Sequence, residues 1–161
     1  MKWWLLCAAA AAALMPAFAL AQARPDFSGR WEVSQAKSTT GAVGNGATIS
    51  FGSELAVTQH PAELHVELRH PRSAPMTTIY KLDGSDVTVA TPADVKETAR
   101  ATWDGQTLVI TATRVVSTQF GPFASETKET WSRAGNVLTI RKTQNADGII
   151  DNETAVYDRE P

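Results

Sequence analysis

A chain of 161 residues with 17 acidic and 15 basic side chains has a formal charge of only −2, with both signs interspersed. That balance offers no basic stripe for phosphates, so nucleic acid is not an expected partner. One cysteine, Cys7, excludes an internal disulfide framework.

The first residues read as an export leader. Met1-Lys2 is a short basic start, Trp3 to Ala13 is an alanine-dominated apolar run, and Pro16 to Ala23 offers small-x-small cleavage points. Residues 1–21 are expected to be a signal peptide cleaved after Ala21, with Ala19 and Ala23 as alternative sites. The apolar run is shorter than the ~20 residues a membrane span needs, so no transmembrane segment is expected after leader removal. Residues 22–161 then form one domain without Lys2 or Cys7, expected as a monomer in the periplasm or beyond.

The first strand opens at Asp26-Phe27-Ser28-Gly29-Arg30-Trp31. Gly29 lets the backbone turn or approach a neighbour closely, and Trp31 supplies a large apolar plate with one N–H. Trp31 to Ser34 alternates in polarity as a strand does. Ser38 to Ser50, rich in Gly, Ser and Thr, reads as a long loop, either a plain surface connection or a lid over a cavity.

From Glu54 the chain falls into strand pairs. Leu55 and Val57 alternate with polar neighbours, His60 to Glu63 turns the chain, and Leu64, Val66 and Leu68 alternate with His65, Glu67 and Arg69. Thr77 to Leu82 is a further strand, and Val87-Thr88-Val89 is an optional short one. Glu97–Trp103 and Thr107–Val116 form a hairpin over Asp104-Gly105, the pair a type I′ turn prefers. That turn sets Ala101 opposite Leu108 and Ala99 opposite Ile110. After a loop at Ser117 to Phe123, a second hairpin pairs Glu126–Ser132 with Val137–Thr143 around a turn at Arg133 to Asn136. A loop at Gln144 to Asn152 leads to the last strand, Glu153–Arg159.

No segment carries a 3.6-residue apolar stripe. Eight to ten short strands, nine on the direct count, with one apolar face each, predict an all-β antiparallel up-and-down meander. Closure into a barrel removes the open edges such a meander would otherwise expose. A membrane barrel is the rival, but one apolar face per short strand does not supply a lipid-facing band and a polar lumen together.

Several stretches resemble the lipocalins. Gly29-x-Trp31 resembles the lipocalin signature, and Asp26 to Trp31 looks like the opening of small lipocalin-like proteins that bacteria export. Leu82 to Ser85, Trp103 to Ile110, Glu129-Thr130-Trp131 and Val156 to Arg159 look like later landmarks of that group. The resemblance implies a lipocalin-like barrel that binds a small, largely apolar molecule. It also implies that Arg159 packs over Trp31, a cation–π contact at a barrel floor with Gly29 beside it. On nine alternating strands, the turns at Asp104-Gly105 and Arg133 to Asn136 share an end with the Ser38–Ser50 loop. The loops at Asp83 to Asp94, Ser117 to Ala124 and Gln144 to Asn152 take the other.

Catalytic chemistry finds little support. His60, His65 and His70 lie close in sequence but on a turn, an outward strand face and a strand end, so neither metal ligation nor a nucleophilic triad is expected. Asn145 to Glu153 lacks EF-hand spacing, because Thr143 and Thr154 fall at its first and last ligand positions. No cofactor is expected. One alternative is a packed barrel serving as a protein-interaction or structural module; another is an isomerase or hydrolase using interior carboxylates, which a buried, pKa-shifted Asp or Glu would favour and of which Glu67 and Glu129 show no sign. Trp103, Leu108, Ile110, Trp131, Leu138 and Ile140 share apolar faces and are either core or cavity lining. Phe120 and Phe123 are candidates for an apolar lip, and Arg114, in phase with Leu108 and Ile110, for an inward carboxylate anchor or a solvent-reaching strand end.

Overall fold

The computed structural model describes residues 23–39 and 51–161; the expected leader and most of the Ser38–Ser50 loop lie outside the described residues. Ten strands follow in order: β1 (Gly29–Val33), β2 (Glu54–Gln59), β3 (Glu63–Arg69), β4 (Met76–Lys81), β5 (Asp86–Thr88), β6 (Val95–Asp104), β7 (Thr107–Thr118), β8 (Gly121–Ala134), β9 (Val137–Ala146) and β10 (Ile149–Arg159). Each pairs antiparallel with its sequence neighbour, except that β4 and β5 share no ladder, and β1 closes the circuit against β10 with Trp31 opposite Arg159. The two free edges, β4 and β5, lie beside one another, so the sheet is a nearly closed barrel. Period-two patterning dictates this: Leu55, Val57, Leu64, Val66, Leu108, Ile110, Leu138 and Ile140 are all buried, while the residues between them face outward.

One end of the barrel is plugged. Phe27, fully buried, stacks on Trp103 at 5.9 Å and meets Trp131 edge-on at 5.9 Å. The Trp31 indole Nε1 donates to the Phe27 carbonyl at 2.9 Å, which fixes the entering chain across the barrel mouth. Arg159 and Arg133 lie over the Trp31 ring at 5.7 and 5.6 Å, and Arg24 lies over Trp103 at 5.2 Å. Gly29 has φ +142°, and a Cβ there would stand 3.0 Å from Arg159 Nε, so the glycine leaves the space that the guanidinium fills.

Three expectations are corrected. The β6–β7 hairpin turns at Gly105-Gln106 rather than Asp104-Gly105, so Trp103 faces Leu108, Ala101 faces Ile110 and Ala99 faces Ala112. Only Gly105 takes positive φ there, the pattern of a type II′ turn with glycine at its first central position. The register moves by two residues, so every side chain keeps its face. Ser117 to Phe123 and Gln144 to Asn152 are not open loops. They continue β7 into β8 and β9 into β10 through two-residue turns at Gln119-Phe120 and Asp147-Gly148. Asp147 and Gly148 both take positive φ, the demand that a type I′ turn places on an Asp-Gly pair. These strand ends run past the shorter strands, so their inner positions are not held to core residues and the apolar alternation fades.

The third correction concerns the ends. β5 is only three residues long, yet counting it makes ten strands and moves every earlier connection to the opposite end relative to the later ones. The turns after β6 and β8 therefore share the plugged end with the β2–β3 turn. The chain leaves β1 for β2 at the open end, together with the tips at Gln119-Phe120 and Asp147-Gly148.

The plug makes a stability prediction. Trp31→Ala should lose about 3–5 kcal/mol in equilibrium urea unfolding, and Trp31→Phe less, since it keeps most of the ring and forfeits the N–H bond. A loss below about 1 kcal/mol for the alanine variant would be typical of a peripheral site and would refute the plug.

Candidate ligand site

Inner-facing residues of β6 to β10 form transverse rows, read directly from the pairing. The lowest to span all five strands is Trp103, Leu108, Trp131, Ile140 and Ala155, with Leu138 and Tyr157 of β9 and β10 below it. Above it lie Ala101, Ile110, Glu129, Lys142 and Glu153, and then Ala99, Ala112, Thr127, Gln144 and Asp151. The next row is Glu97, Arg114, Ser125, Ala146 and Ile149, followed at the rim by Val95, Val116 and Phe123. The barrel is thus apolar and packed at its base, charged one step higher, and lined above that by small or polar side chains.

The base is solid. Trp31, Tyr157, Phe27, Leu64, Leu108, Leu138 and Ile140 are its largest fully buried side chains. The Tyr157 hydroxyl donates to the Phe51 carbonyl at 3.0 Å. Burial holds the Tyr157 hydroxyl far above its ordinary pKa, with the Glu129 and Glu153 carboxylates adding to the effect.

The charged row meets empty space. A cavity of about 90 Å³ lies between Phe51, Leu55, Val66 and Leu68 on one wall and Glu129, Trp131 and Ile140 on the other, with Met76 and Tyr80 beside it. The Trp131 indole donates to Glu129 Oε2 at 2.9 Å. Burial raises the Glu129 carboxyl above its ordinary pKa; that hydrogen bond and Lys142 pull it down, and the Glu97 and Glu153 charges push it up. Lys142 stands between Glu129 and Glu153 on adjacent strands, with Nζ 5.3 Å from the Phe51 ring centroid. Tyr80 is also held well above its ordinary pKa by burial, with Glu129 and Glu97 contributing.

A second hollow of about 350 Å³ lies at the open end, lined by Phe123, Gln144, Ala146, Ile149, Asp151 and Asp147. Most of these belong to the upper inner rows, so the hollow stands above the charged row on the same wall. A third hollow, about 460 Å³, lies elsewhere: Thr111, Thr113, Glu126, Lys128, Thr143 and Asn145, the outward members of β7 to β9, form most of its lining.

The structure divides the sequence-derived candidates. Leu108, Ile110, Trp131, Leu138 and Ile140 are buried in the core, and Trp103 packs on it through Phe27. Of these, Trp131 and Ile140 reach the cavity wall. Gly29, Trp31 and Arg159 sit together at the plug. Arg114 points to the inner face with its side chain half exposed and Nη1 4.0 Å from Glu97 Oε2. Phe120 is 92% exposed at the β7–β8 tip, away from the hollow that Phe123 lines. His60 and His65 meet edge-on at 5.1 Å, and His65 Nε2 bonds Glu63 at 3.0 Å; no group of three metal-capable side chains occurs among the described residues.

Glu129 overturns an expectation, since its carboxyl is shifted by burial where none was foreseen. Glu97, Lys142 and Glu153 were missed with it. The signal was present in strand phase: Glu129 is two residues from Trp131, Lys142 two from Ile140, and Glu153 two from Ala155.

No family model and no curated protein sequence matches the chain. Solved structures do. Zebrafish ileal bile acid-binding protein complexed with cholic acid superposes with a TM-score of 0.58 at 13% identity, covering 83% of this chain and 98% of that one. Secretory abundant heat soluble protein 4 from Ramazzottius varieornatus gives 0.55 at 17%, covering 83% and 94%. Caenorhabditis elegans lipid binding protein 8, in its apo form, gives 0.52 at 14%, covering 83% and 95%. At these identities the likeness is one of fold, a lipocalin-like barrel.

The raised Glu129 pKa has a measurable consequence. A carboxyl that binds its proton more tightly when folded makes stability fall as pH rises from its unfolded value, ordinarily 4.5, through the folded one. Glu129→Gln keeps an acceptor for Trp131 and removes that loss. Its melting temperature relative to wild type should therefore be higher at pH 7.5 than at pH 4. An equal shift at both pH values would contradict the burial of this charge.

Proposed function

We propose that the chain is an exported, non-catalytic carrier that holds a small, largely apolar molecule in the upper half of its barrel. The observation that carries this reading is the layering of the lumen. A packed base gives way, at the Glu129 row, to a cavity with an apolar wall on β2 and β3 and small residues such as Ala99 and Ala112 above it. The exposed large apolar side chains support an entry route at the same end. Met76, Phe120, Phe123, Ile149 and Ile150 all lie at or near the open end, and of the six such residues among the described ones only Ile79 does not. The names of two structural neighbours, a bile acid-binding and a lipid binding protein, agree with an amphipathic or apolar ligand. Export rests on the leader-like start, Met1 to Ala23.

Native mass spectrometry of protein recovered from the exported fraction of expressing cells tests both parts. The expected spectrum shows a chain beginning at Gln22, with an adduct of a few hundred daltons, the mass of a typical pocket-sized ligand, that vanishes on denaturation. A mass that retains Met1 would overturn the export reading. A bare mass, together with no uptake of a neutral apolar fluorophore, would overturn the carrier reading and leave a packed interaction module.

A further inference from the structure

The inner wall of β6 to β10 above the base, which reaches the cavity through Glu129, is weighted toward acids. On β6 to β10, the inner-facing residues above the base include four carboxylates, Glu97, Glu129, Asp151 and Glu153, and two bases, Arg114 and Lys142. Both bases already face protein carboxylates. Lys142 lies in register between Glu129 and Glu153, and Arg114 is cross-strand to Glu97, with Nη1 and Oε2 4.0 Å apart. An anionic ligand would have to displace one of these carboxylates to reach a base, and would do so in a partly desolvated lumen where like charges repel strongly. A cation meets the opposite situation: in register, the row carries two carboxyl groups to one lysine, so its formal charge is negative. Across the cavity stands an apolar wall that includes Phe51, Leu55 and Leu68.

We propose, building on the carrier reading above, that the lumen selects an amphipathic cation. The ligand is an apolar body bearing a protonated amine, with its nitrogen at Glu129 and Glu153 and its apolar face against β2 and β3. The charge order of the row Glu129–Lys142–Glu153 makes the amine the preferred head group and the carboxylate the disfavoured one.

Isothermal titration of the leaderless protein with octylamine, octanoate and octanol separates these claims, because the three share a tail and differ in head-group charge. Octylammonium is expected to bind at least about tenfold more tightly than octanoate, a difference of about 1.4 kcal/mol, with octanol between them. The double variant Glu129→Gln/Glu153→Gln, checked for an intact melt, leaves Lys142 without its acidic neighbours in the row and should reverse the order. Lys142→Gln should widen the preference for the amine. Octanoate binding wild type as tightly as the amine, or octanol alone binding, would overturn the cation inference and leave the carrier reading standing. Failure of all three to bind would overturn both.

Discussion

The hydrogen bond from Trp31 Nε1 to the Phe27 carbonyl organises this barrel. It bends the segment before β1 across the lumen, where the Phe27 ring is held between Trp103 and Trp131. A buried indole N–H needs an acceptor, and a buried carbonyl needs a donor, so one bond satisfies two groups and seals an end. The guanidinium groups of Arg133 and Arg159 cover the outside of the Trp31 ring. With that end filled, the described lumen opens at the other end, beside the tips of the β7–β8 and β9–β10 hairpins.

Packing and function then divide along the barrel axis. Close-packed aliphatic and aromatic side chains at the base provide the burial that holds ten strands together. Two residues further along β8, β9 and β10, the same inner face changes to Glu129, Lys142 and Glu153. Charged groups at that depth reduce stability unless they are paired and hydrogen-bonded. Their place between the packed base and the open hollow marks the level at which the interior stops serving the fold and, in the proposed function, becomes a binding surface. The nearby tyrosines, Tyr80 and Tyr157, share this environment and are held protonated by it.

Much of this was legible in the sequence. Alternation at Leu64, Val66 and Leu68, and at Leu108 and Ile110, gave strands with their correct inward faces, because a half-buried strand must alternate. Turn position was less legible, since Asp104-Gly105-Gln106 accommodates either of two hairpin registers and only the pairing selects between them. The grouping of the connections by end was misread because β5, at three residues, is too short for a periodic signal, yet topologically it decides which connections share an end. The charged row was overlooked for a different reason: a Glu or Lys in phase with apolar neighbours looks like an outward residue until the register shows three of them side by side.

The central claim is that the plugged base is structural and the space at the Glu129–Lys142–Glu153 row is the binding site. A two-dimensional amide NMR titration with a neutral apolar probe tests it most directly. The account predicts shifts at the backbone of Glu129, Lys142, Gln144 and Glu153 and at the Trp131 indole, while the Trp31 indole stays still. Shifts centred on Trp31 and Phe27, or on the outer groove at Thr111, Thr113 and Lys128, would contradict it.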